Sequence, residues 1–301
     1  GEDRETTIID GNQSGSVVIF DNQESNSTIL NGFTITNGFA YGDHPYNRGG
    51  GILIVLSSPQ LQNLKIISNT ADEGGGIYGN SFNSKLENIE IIGNSAIGSA
   101  GGGGISLNNS NMDILNTIIS DNISNWHGGG IFYGGSTLNI YNVTITGNVS
   151  VLNGGGLYLY SSSNTNVVNS IIWNDSPQEI YISSSSLVST YSDIQGGWEG
   201  EGNIDADPLF VDPDNGDFTL QPTSPCIDTG DPDFDGDGFT WEEDWDDRDP
   251  DGTRLDMGAF YYHHADTLPP TVTLTSLTGG ETLVTDSSYA ITWTSDDDVG
   301  V

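Results

Sequence analysis

The chain has 301 residues, 34% of them apolar, with 41 glycines and only 6 Lys plus Arg against 42 Asp plus Glu, a formal charge of -36. That charge excludes nucleic acid and anionic membrane as partners, because both are held by Lys and Arg neutralising phosphate, and the glycine content argues against a helix-rich fold. No apolar run reaches the ~18 residues that bilayer insertion needs, and the single cysteine, Cys226, allows no internal disulfide, has no zinc-ligand spacing and reads as a small buried apolar residue.

In chain order, the first elements are short strands in "TTIIDGNQSGSVVIF" and "LNGFTITNG". A repeat then sets in, in two strings with one beat. The first string is "GGGILI", "GGGIYG", "GGGISL", "GGGIFY" and "GGGLYL", in which Ile52, Ile77, Ile105, Ile131 and Leu157 follow the glycines at spacings of 25, 28, 26 and 26. The second runs "NLKIISN", "NIEIIGN", "NTIISDN", "NVTITGN" and, altered, "NSIIWND". A period near 26 with strand alternation and with Gly or Asn at the corners predicts a coil of parallel strands. Stacking the turns about 4.8 Å apart pairs every strand with the next turn and piles like residues into columns. Ile52, Ile77, Ile105, Ile131 and Leu157 form one predicted interior column, and Ile66, Ile91, Ile119, Ile145 and Ile172 another. Glycine answers the crowding and the unusual backbone angles of a tight corner. Asn69, Asn94, Asn122 and Asn148 end the second string in each turn and read as a structural amide ladder.

These strings resemble the repeats of right-handed parallel β-helix proteins, particularly the polymorphic outer-membrane protein type, over about residues 5 to 192. The resemblance implies a secreted or cell-surface bacterial protein, and the hand of the coil is carried over with it. Pectate lyases and polygalacturonases share this fold, but they concentrate basic residues beside calcium-holding acids, or paired carboxylates, on one face. Here Lys65 and Lys85 are the only Lys or Arg between Gly49 and Asp175, and Lys65 falls in register with Glu90, as a lateral ion pair would. His44 and His127 fall in loops with no carboxylate in register. No catalytic residue is assigned. The outward positions beside the first column, Leu53, Tyr78, Ser106, Phe132 and Tyr158, make a partly aromatic stripe. Tyr78, Phe132 and Tyr158 are candidates for binding a glycan or a surface protein, against the plainer reading of rings that support the sheet.

After residue 192 the beat ends and the acids accumulate: Asp193 to Asp256 holds 21 of the 42. The strings "GNIDADPLF", "GDFTL", "SPCIDTGD" and "DMGAF" resemble the tail that follows β-helix repeats in large bacterial secreted proteins, sometimes with a C-terminal anchor. Residues 193–264 are expected to be an irregular cap over the open end of the coil. Within them "DPDFDGDGFTWE" has calcium-loop spacing in two registers: Asp231, Asp233, Asp235, Gly236 and Glu242, or Asp233, Asp235, Asp237, Gly238 and Asp244. Twelve acids between Asp231 and Asp256 repel one another unless a cation sits among them, so bound calcium is expected, against the plainer reading of a solvated acidic loop.

Pro269 and Pro270 mark a linker, and "TVTLTSL" and "SYAITWT" alternate as strands resembling the start of an immunoglobulin-like module of bacterial surface proteins. Two strands make no sandwich. The expectation is an all-β protein of three parts: a right-handed parallel β-helix (1–192), an Asp-rich cap with a calcium loop (193–264), and a linker with a truncated β-sandwich module (265–301). It is expected to be a monomeric internal fragment of a longer chain. Its expected role is a non-catalytic, calcium-stabilised scaffold or adhesin, with a carbohydrate-active protein, lyase-like or glycan-binding, as the alternative.

Overall fold

The computed structural model describes residues 1–264, 271–276, 279, 282 and 288–296. The backbone of the first two-thirds is a solenoid of parallel strands on three faces. The first face stacks seven strands: Val18–Phe20, Ile52–Val55, Ile77–Asn80, Ile105–Asn108, Ile131–Gly134, Leu157–Tyr160 and Ile180–Ser183. The second and third faces share one sheet of 13 strands, because Met112–Ser120 and Thr137–Thr146 run continuously round the corner between them. Two-residue strands such as Thr70–Ala71 and Ser95–Ala96 close each turn.

The register is the expected one. Ile77 pairs with Ile52 and Ile105, Ile131 with Ile105 and Leu157, and the column extends to Val18 and Ile180. Ile66, Ile91, Ile119, Ile145 and Ile172 form the facing column. Both columns lie in one continuous buried core. The solenoid is held by parallel pairing of backbone groups and by stacking of like aliphatics between rungs, not by helix-style local bonding.

The three glycines of each repeat have two separate causes. The first, as at Gly74, has φ +65°, a left-handed angle open to glycine at little cost. The second and third face a different constraint: a Cβ on Gly75 or Gly76 would lie 2.5 or 2.6 Å from the carbonyl oxygen of Gly103 or Gly104 in the next rung. Glycine there lets one rung lie on another at strand distance.

Asn69, Asn94, Asn122 and Asn148 are fully buried and form the expected ladder. Each Nδ2 donates to the next Oδ1 at 2.9–3.0 Å, and each Oδ1 also accepts a backbone N–H from the rung before. The ladder ends on an acid: Oδ1 of Asp175 accepts from Asn148 Nδ2 at 2.9 Å and from Asn148 N at 2.7 Å. Burial first, and the neighbouring Glu179 second, push the Asp175 carboxyl well above the usual carboxylate range. The expected pair of Lys65 and Glu90 is present at 3.4 Å, joined by Arg4 and Glu5.

The acidic segment departs from its expected place. Its start closes the open end, where Trp198 packs on the solenoid core. The rest turns back and lies along the outside of the third face, where Phe210, Phe218, Leu220, Cys226 and Met257 bury Ile118 and Ile171 in a second core. The outward column of that face shows why. It runs Thr34, Lys65, Glu90 and then Ile118, Thr144, Ile171, changing from charged to apolar where the segment docks. Cys226 is buried as expected, its Sγ donating to Asp193 Oδ2 at 3.3 Å. Among the described residues no helix is long and apolar enough to cross a membrane. The linker expected at 265–270 lies outside the described residues, and of the strands expected after it one antiparallel pair, Thr271–Leu274 with Trp293–Asp296, is described.

Candidate functional site

Two places hold the predicted site residues. The first is the acidic loop on the third-face flank. Asp233, Asp235 and Asp237 each turn one carboxylate oxygen inward, all within 4.8 Å of one another. Local geometry produces this. Asp235 Oδ1 accepts from Asp237 N at 3.0 Å, and Asp237 Oδ1 from Phe239 N at 2.8 Å. Asp233 accepts from Gly238 N at 3.2 Å, where Gly238 takes φ +92°. The alternate acids curl the chain around one point, with glycine at the sharp turn.

Of the two registers, the geometry favours the one that opens at Asp233. Asp231 stands outside the three-carboxylate group; its N–H donates to Asn169 Oδ1 at 2.6 Å, tying the loop back to the solenoid. Glu242 and Asp244 are also outside it, and their backbone carbonyls accept from Arg248 at 2.9 and 3.1 Å. A further acid that no motif indicated, likewise outside the three-carboxylate group, holds the loop backbone. Asp247 is fully buried, and its Oδ1 accepts from Phe234 N at 2.6 Å and Asp235 N at 3.3 Å. Its Oδ2 is buried with no hydrogen-bond partner. Burial chiefly, with Asp235 and Asp233 adding to it, raises the Asp247 pKa. The three converging carboxylates of Asp233, Asp235 and Asp237 are an all-oxygen donor set, the kind a hard divalent cation takes.

The second place is the outward stripe on the first face. Tyr78, Ser106, Phe132, Tyr158 and Tyr181 stand in register. Tyr78, however, is 2% exposed and does not belong to the surface. Arg48 from the preceding rung lies over its ring, 4.7 Å from the centroid, and donates to its hydroxyl at 2.8 Å. The Arg48 Nε also pairs with the buried Glu73 at 2.8 Å, and Glu73 accepts from Ser106 Oγ at 2.9 Å. The remaining rings stack on one another. Both faces of Tyr158 are covered, by Phe132 at 5.3 Å and Tyr181 at 5.2 Å, with His127 at 4.2 Å. Sugar rings need aromatic faces, and this ladder spends its faces internally.

Arg48 and Glu73 had a legible signal. The residue before each triple glycine forms its own column, Arg48, Glu73, Gly101, His127 and Asn153, bridged in register at Arg48–Glu73 and His127–Asn153. Asp247 had none, since only the folded loop sets it against the backbone of Phe234 and Asp235.

Residues 50–202, just over half of the chain, match the model of the family described as right-handed beta helix region. No curated protein and no solved structure matches the chain. The matched span takes in the rungs from residue 50 onward and ends just inside the acidic segment, and on that match the chain belongs to the right-handed β-helix family.

Proposed function

We propose that the chain is a secreted or surface-displayed bacterial scaffold, a stiff shaft for adhesion or display, with calcium locking the acidic segment to its flank. The observation that carries the reading is the inner ladder from Asn69 to Asp175, in which buried amides bond rung to rung along the axis. Stacked rungs joined in this way make a quasi-one-dimensional rod. The family suits surface or carbohydrate-related work equally, so the choice rests on how the polar groups are used. Arg48, Glu73, Tyr78 and Ser106 bond one another across rungs.

The calcium part rests on the converging carboxylates of Asp233, Asp235 and Asp237. Titration with calcium should release heat and raise the melting temperature over that in chelator. No heat and no shift would remove calcium from the reading. Unsaturated or shortened products after incubation with polygalacturonate and calcium would replace the scaffold with the lyase-like alternative.

A further inference from the structure

The inner ladder changes chemistry at its last step. In Asn69, Asn94, Asn122 and Asn148 the Nδ2 donates to oxygen on two sides, to a carbonyl of the rung before at 2.8–3.0 Å and to the next Oδ1 at 2.9–3.0 Å. Asp175 takes the fifth place, and its Oδ1 accepts from Asn148 as an asparagine's would. Its Oδ2 therefore stands where an Nδ2 would stand. The third glycine of each triple marks the exchange: a Cβ on Gly130 would meet Asn148 Nδ2 at 3.2 Å, and one on Gly156 would meet Asp175 Oδ2 at 2.6 Å. Asp175 is 7% exposed, and this oxygen is buried without a hydrogen-bond partner.

The next rung brings no side chain to continue the row. It leaves its register after Ile194, the partner of Ile172, at Gly196 and Gly197, whose φ values are 87° and 79°. Glu179 folds in instead. Its Oε2 and Oε1 accept from Asp175 N at 3.0 and 3.3 Å, just as each ladder Oδ1 accepts a backbone N–H from the rung before. A buried carboxyl thus meets a half-buried one. The neighbours Asn148 and Gly156 are neutral, and among the described residues no Lys, Arg or His pairs with either acid. Two ionised carboxyls in contact without a counter-charge repel each other strongly, and one proton between them turns the repulsion into a hydrogen bond.

We propose that Asp175 and Glu179 hold one proton between them at neutral pH, and that this proton latches the C-terminal end of the inner ladder. A neutral Asp175 has the shape of an asparagine and, like it, one accepting and one donating side, so a carboxylic acid completes the row. Burial and Glu179 raise Asp175, and burial raises Glu179. A folded-state value above the unfolded one gives stability that is fully present below the ordinary carboxylate range and is lost as pH rises through the folded value. When the proton leaves for solvent, two negative charges drive Glu179 outward and Asp175 N loses its acceptor. The end of the core under Trp198 then loosens. The latch works whether or not the shaft serves adhesion, and its groups are separate from the carboxylates of the flank.

Urea denaturation of the whole chain in calcium, from pH 5 to pH 9, compares the parent with Asp175→Asn and Glu179→Gln. Asp175→Asn should match the parent at pH 5 and become the more stable of the two as pH rises, because an amide supplies the donor without a proton. Glu179→Gln should also flatten the profile, with its Nε2 donating to the Asp175 carboxylate. Infrared difference spectra of the parent against Asp175→Asn at pH 7 should show the carbonyl band of a protonated carboxylic acid in the parent, which a purely structural role would not produce. A parent-to-variant difference that stays constant from pH 5 to pH 9, an Asp175→Asn chain that is less stable than the parent at pH 9, or absence of the acid band would overturn the proposal.

Discussion

The shaft and the acidic segment docked on its flank are ordered by opposite means. In the shaft, order comes from repetition: like residues lie over like, and buried asparagines bond to asparagines at 2.9–3.0 Å. The charges of that stretch are few. The flank has no repeating register, and its second core is small, built on Phe210, Phe218, Leu220, Cys226 and Met257. Around that core, carboxylates are brought close together. Asp249 is pushed up to about 8 and Asp256 to about 6, by burial first. A structure that rests on identical neutral contacts is indifferent to ions, whereas one that gathers like charges needs a counter-charge to hold it. The comparison thus separates two kinds of stability within one chain.

The sharpest way to break the shaft is to interrupt its inner ladder. Asn122→Ala removes the acceptor of Asn94 N at 2.9 Å and Asn94 Nδ2 at 3.0 Å, leaving the buried backbone N–H unpaired and the Nδ2 with only the carbonyls of Ile66 and Ile92. At about 1–3 kcal/mol for the orphaned N–H and about 1 kcal/mol for the lost ladder bond, the loss is about 2–4 kcal/mol, read as a lower denaturation midpoint. The effect should not depend on calcium.

The flank should respond to the ion instead. Calcium at a hundred times its dissociation constant stabilises a bound unit by about 2.7 kcal/mol. Asp235→Asn should reduce that gain sharply, because it replaces one of the three converging carboxylates with a neutral amide that has one oxygen. Differential scanning calorimetry with and without chelator should show a calcium-dependent transition in the parent and its loss in the variant.

Acidity should move the flank the same way in chelator. Asp249 and Asp256 have folded-state values above the 3.8 of an ordinary Asp, so the folded chain binds more protons than the unfolded one between those values. Their contribution is greatest at or below about pH 4 and is lost as pH rises through 6 and 8. In chelator the flank should therefore weaken by up to a few kcal/mol between pH 5 and 8, and calcium should flatten the profile. A flank more stable at pH 8 than at pH 5 in chelator would contradict this. The smallest effect belongs to Lys65→Ala, which removes a partly exposed pair with Glu90 at 3.4 Å and should cost a few tenths of a kcal/mol by urea denaturation.

The shaft was legible in the sequence because each column repeats the same chemistry at the same beat, so Ile77 over Ile52 follows from two strings with one period. The stripe was half legible. Alternation placed Tyr78 outward, but its burial depends on Arg48, whose side chain crosses from the rung before. The flank was least legible. Its apolar residues are scattered among acids, and the surface they cover shows only as Ile118 and Ile171 standing in an outward column that earlier held Lys65 and Glu90. Asp247 lies ten residues beyond Asp237, outside any loop spacing, and meets the loop only because its carboxylate accepts from the backbone of Phe234 and Asp235.

Hydrogen exchange followed by mass spectrometry, in calcium and in chelator, tests the contrast between shaft and flank most directly. The expected result is slow exchange at the amides of Asn69, Asn94, Asn122 and Asn148 in both conditions, with residues 231–251 protected only when calcium is present. Equal protection of residues 231–251 in chelator, or loss of protection along the asparagine ladder when calcium is removed, would contradict it.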